Sequence, residues 1–260
     1  MAPLTLLSTL QSTTASAAAA HVRAAPLVDR LTEQTPPAYG TVTFLLIGAA
    51  IAGVLIIPSA LWRVTGLIVT IVHELGHGFA GLMLGRRALA IRIAGDHSGL
   101  ALSYGTGASA PWMTFWGYPA PALVGSLLIF AALYGYPLPA LAAAAVLLFV
   151  SLIFMRGFLA ITVTALTAAS IGALVNWAPA QVTSAASLGA GLFLLIGAWK
   201  GFANLLRAHA RGDRGQSDAA ILARATRIPA VIWLALMFLV MAGCTALSAW
   251  GAWLQIVGAA

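Results

Sequence analysis

Acidic side chains are nearly missing from this sequence: Asp and Glu together number six in 260 residues, and charged residues of both signs make up 7%. A soluble domain has about 25% charged residues, so this chain cannot cover a globular surface with solvated groups. Hydrophobic residues reach 61% and the mean hydropathy is +0.98. These values exclude an ordinary soluble protein and indicate an all-α polytopic membrane protein. Cysteine is equally scarce. Cys244 stands alone, which excludes a disulfide within the chain and a multi-cysteine metal cluster.

What is abundant is apolar sequence. Seven runs approach the roughly 20 residues that a bilayer crossing needs: 41–62, 64–85, 111–135, 137–154, 157–175, 181–199 and 228–254. Pro119 and Pro121 interrupt the third. The net charge of +7 does not signal nucleic acid, because the basic residues lie between apolar runs, where the positive-inside rule accounts for them. With an amino-terminal tail in the cytosol, twelve of the thirteen basic residues fall on that side and only Arg63 on the other. Residues 1–40 have no basic segment before LTLLSTL and are expected to form a mobile cytosolic tail rather than a cleaved signal. Residues 41–256 are expected to form one membrane-embedded domain with a basic cytosolic loop at 200–227.

One stretch is not a span. LAIRIAGDHSGLALSY, residues 89–104, has two strand-like runs around a Gly-Asp-His-Ser-Gly turn and is expected to be a membrane-associated β-hairpin. At membrane depth such a hairpin must be sheltered by protein or line a polar cavity.

The second run contains TIVHELGHGFAG, with His73, Glu74 and His77 among apolar neighbours. Ionisable groups within a span are expensive and mark function by default. On a helix, residues four apart share a face, so His73 and His77 can bind one metal ion and Glu74 can reach a water on it. Imidazole suits Zn²⁺, whose catalytic sites keep three protein ligands and an open position. Such a metal lowers the pKa of water to about 7, and the carboxylate takes its proton and returns it to the leaving amine. Gly81 and Gly85 form a GxxxG pair suited to close helix packing.

HELGH within an apolar run resembles the H-E-x-G-H signature of the site-2 protease family, the intramembrane zinc metallopeptidases. NLLRAHARGDRGQSDA, from Asn204 to Ala219, resembles the Asn-x-x-Pro…Leu-Asp-Gly stretch that supplies the family's third ligand, with Arg207 in place of Pro and Ser217-Asp218-Ala219 in place of Leu-Asp-Gly. SDAAILARATRIPAVIW further resembles the compact bacterial branch, which lacks an inserted peptide-binding domain. The resemblance implies a single Zn²⁺ on His73, His77 and Asp218, with Glu74 as base. It also implies a multi-pass protein of the bacterial cell membrane, and a membrane-protein substrate with a transmembrane segment. By residue type alone, Asp96, Asp213, His97 and His209 are further ligand candidates. A hairpin edge would hold an unwound substrate as an added strand, and Pro119 and Pro121 would free backbone groups to line a polar space. Two other functions compete with proteolysis: an inactive protease-like scaffold, and a metal-ion carrier.

Overall fold

The computed structural model describes residues 27–35, 40–105, 109–212 and 217–258. Helices dominate, because in hydrocarbon the backbone must satisfy its own hydrogen bonds. In chain order they are α1 (Leu27–Thr32), α2 (Thr41–Ile56), α3 (Ser59–Met83), α4 (Ala110–Phe115), α5 (Pro119–Leu133), α6 (Pro137–Ser151), α7 (Phe158–Trp177), α8 (Ala180–Ala210), α9 (Asp218–Thr226) and α10 (Ala230–Val257). A short 3-10 turn, Leu152–Phe154, extends α6, and strands β1 (Arg87–Ile93) and β2 (Gly99–Tyr104) lie between α3 and α4.

Among the described residues, five helical segments are long and apolar enough to cross a membrane: α3, α6 with its extension, α7, α8 and α10. The apolar α2 and α5 are shorter, at 16 and 15 residues. The sequence predicts seven full-length spans, and two fall short for local reasons. Pro58 divides the first run, so α2 stops at Ile56 and α3 starts at Ser59. The third run breaks at Trp116–Tyr118, and Pro119 opens α5 at its first turn, where a missing N–H removes no helical bond. The proline therefore starts a helix rather than kinking one.

Helices α5 and α8 make the closest pairing. A Cβ on Gly125 would stand 2.6 Å from the Gly191 carbonyl oxygen, and one on Gly191 2.7 Å from that of Gly125. Small residues let backbones approach in this way when lipid supplies no hydrophobic drive between helices. Two buried hydroxyls on these helices find backbone partners: Ser126 Oγ donates to Cys244 O at 2.7 Å, and Ser187 Oγ to Leu128 O at 3.0 Å.

The bundle has two distinct ends. At the first, the Thr35 amide donates to Gly135 O (2.8 Å), and Arg30 donates to the Val175 and Asn176 carbonyls (3.2 and 3.3 Å). The segment before α2 thus lies by the α5–α6 and α7–α8 turns. Thr41, opening α2, donates to Gln255 O at the finish of α10 (3.2 Å). At the second end, the α6–α7 turn meets the hairpin, where the Arg156 amide donates to Ile91 O (2.8 Å). Helix α2 reaches this half: Lys200 Nζ donates to Ile56 O (3.5 Å) and lies 4.0 Å from the Trp62 ring centroid. Helix α5 sets out again from the second end, with Tyr118 against Phe202 of α8.

Helix α3, long and apolar enough to cross, starts beside Lys200, where Trp62 meets it, and carries its HELGH segment to Tyr118. Among the described residues, Arg30 lies at the first end and Arg156 at the second.

The expected hairpin is present. Ile91 pairs with Ala101, Arg92 with Leu100 and Ile93 with Gly99, in antiparallel register with an irregularity between Arg87 and Ala90. Leu89 and Ile91 are buried against Ile71, Leu75 and Met155. The other edge of β1 bridges Met155, whereas the sheet ends at β2.

Candidate metal centre

Helix α3 carries His73, Glu74 and His77, and its glycines let other elements reach them. A Cβ on Gly76 would meet the Trp116 carbonyl oxygen at 2.5 Å, so HELGH packs directly on the turn between α4 and α5. That turn holds Gly117 against both imidazoles. A Cβ there would stand 2.6 Å from His77 Nε2 and 2.7 Å from His73 Cε1.

His77 is buried and its Nδ1 lies 2.9 Å from Met113 O. A carbonyl only accepts, so Nδ1 carries the proton and Nε2 presents a lone pair. Such an outer hydrogen bond is what orients metal-binding histidines. His73 stands edge-on to His77 at a centroid distance of 4.8 Å and to Tyr118 at 4.6 Å.

Asp218 comes to this pair from the far side of the sequence. Its Oδ2 lies 3.3 Å from His73 Nε2 and 3.4 Å from His77 Nε2, and the two Nε2 atoms are 3.1 Å apart. Ligands at about 2.0–2.1 Å from a tetrahedral zinc are separated by about 3.3 Å, so the three atoms have the dimensions of one face of that tetrahedron. Asp218 Oδ2 is buried yet makes no well-formed hydrogen bond. The donor set, its spacing and this orphaned oxygen fit a metal ion. Helix α9 is capped by Ser217, whose Oγ accepts from the Ala220 amide at 3.4 Å, leaving the Asp218 carboxylate to face the imidazoles.

The other candidates lie elsewhere. Exposed Asp96 closes its own turn, accepting from the Ser98 hydroxyl at 2.6 Å and the Ser98 amide at 3.0 Å. Those bonds hold its carboxyl below the usual range. His97 stacks on Trp62 at 5.7 Å, and His209 Nδ1 lies 3.2 Å from Leu205 O. Asp213 falls outside the described residues. Gly85 is not a packing glycine: α3 ends at Met83, and Gly85 follows with φ 74°, the left-handed conformation that closes helices.

A cavity of about 960 Å³ opens onto the cluster, walled by α3, the hairpin tip, α8 and the start of α9. Glu74 faces it from the side of β2, buried, with Oε1 against Gly99. The stretch 117–125, expected to line a polar space, does border the cavity through Tyr118 and Pro121; sequence reasoning assigned no individual role to Gly117 or Tyr118 and missed Met113 and Gly99. The GYPAP stretch signals a break but not what it touches, and the Met113 carbonyl leaves no sequence signal.

No curated protein and no solved structure matches the chain. The family model described as Peptidase M50B-like matches residues 46–248, a span that includes α3, the hairpin and Asp218. By that match, the chain belongs to the Peptidase M50B-like family, a branch of the site-2 proteases.

Proposed function

We propose that this protein is an intramembrane zinc metalloprotease that hydrolyses peptide bonds in or near the transmembrane segments of other membrane proteins. The observation that carries the proposal is the triangle of His73 Nε2, His77 Nε2 and Asp218 Oδ2, with edges of 3.1, 3.3 and 3.4 Å, one residue from a buried carboxylate. In this reading His73, His77 and Asp218 hold the ion. When bound, zinc supplies an acidified water and polarises the scissile carbonyl. Glu74 takes a proton from the attacking water and delivers it to the amine nitrogen as the C–N bond breaks. Among the described residues no third strand pairs with β2, and the groups of its outer edge other than the Ala101 amide and the Ser103 carbonyl would receive a substrate strand, which suits a helical segment that must be unwound before its amides are reachable.

The end with Arg156, the hairpin and the cavity faces the cytosol in this reading. The competing scaffold and carrier functions leave Glu74 without a role. Purified wild-type protein is expected to hold about one zinc per chain and to cleave a reconstituted single-span substrate. Glu74→Gln should retain the zinc and lose cleavage by about 100-fold or more, the scale of general-base loss. Undiminished cleavage by that variant, or a wild type without metal, would overturn the proposal.

A further inference from the structure

Glu74 owes little of its position to its own helix. Its carboxylate is buried and Oε2 has no hydrogen-bond partner. What meets it is β2. A Cβ added to Gly99 would collide with Oε1, Cδ and Cγ of Glu74, and the Ala101 backbone amide faces the carboxylate. Gly99 pairs with Ile93 and Ala101 with Ile91, so both contacts are set by the register of the hairpin. That register is anchored from outside. Ile91 is fully buried, and its carbonyl accepts from Arg156 at the α6–α7 turn. At the other extremity, His97, with φ 68°, stacks on Trp62.

We propose that the hairpin, beyond any role in holding substrate, positions the base: Gly99 gives the Glu74 carboxylate its space and the Ala101 amide its direction. This rests on the proposed proteolytic function. Gly99 is a positioning residue, since it touches neither the ligand atoms nor the reacting bond. A glutamate has three rotatable bonds, and misplacement of a catalytic group by about 1 Å costs on the order of 100-fold in rate. The same strand borders the cavity, so a segment laid along β2 would lie beside the carboxylate that β2 fixes.

Gly99→Ala tests this in two independent ways. In the reconstituted cleavage assay, kcat should fall by about 100-fold, with KM and zinc content within twofold of wild type. A raised KM with kcat intact would assign the strand to substrate alone, and lost zinc would assign it to the metal ligands; either result overturns the proposal. The second readout needs no activity. Gly99→Ala should lower Tm in the wild-type background and leave it nearly unchanged in a Glu74→Ala background, where the new methyl group has room. Equal Tm losses in both backgrounds overturn the contact. If the wild type cleaves nothing, the proteolytic function fails, while the Tm coupling still decides whether β2 holds the Glu74 carboxylate.

Discussion

His73 and His77 can meet one ion only because the surfaces around them are stripped to backbone. Gly117 is the direct case, since any side chain there enters the space of both imidazoles. Gly117→Ala is therefore expected to reduce bound zinc well below one per chain, with a stability loss of about 1–3 kcal/mol from overpacking. Elemental analysis together with Tm checks this, and full zinc occupancy would show that the turn yields. Asp218→Ala should weaken zinc binding by at least 100-fold, beyond the roughly 10–100-fold typical of outer-shell changes, as read by competition with a chelator. Asp96→Ala should leave zinc binding within twofold, because that carboxylate is spent on Ser98.

At the scale of elements, the centre joins a long helix, a turn and the first residue of a short helix. Helix α9 presents Asp218 in its first turn, and Ser217 sets where that turn begins. Ser217→Ala should cost about 1 kcal/mol through loss of the cap and weaken zinc by several-fold, since the frayed turn carries the proposed ligand Asp218. Calorimetry and chelator titration measure both effects, and unchanged zinc affinity would mean that α9 is held by packing alone. Both the HELGH helix and the hairpin were legible in the sequence, one from residues four apart and the other from two short runs about a polar turn. The sequence did not disclose that the break at Trp116–Tyr118 places a backbone turn on the metal site, because the contact depends on where α5 is directed.

For the whole molecule, the two ends of the bundle differ in content. The first carries Arg30 and the turns that it ties down; the second carries Arg156, the hairpin and the metal centre. Cysteines introduced at Thr35 and Arg211 are expected to react with a membrane-impermeant maleimide from opposite faces, with Cys244→Ser as the background. Labelling of both from one face would restore the arrangement expected from the sequence, in which the segment before α2 shares a side with residues 200–227.

The sequence by itself determined the membrane class, the helical fold with its hairpin, and the pair of imidazoles with an adjacent carboxylate. These follow from composition and from periodicities of two and 3.6 residues, which are local properties of a chain. Only the tertiary structure decided which distant carboxylate approaches the pair, that Ser217 caps α9, and that the turn at Trp116–Tyr118 packs on the HELGH helix. Each of these depends on how segments far apart in sequence pack. An apolar run reports that it avoids water, but carries no record of the neighbours or the depth at which it comes to rest.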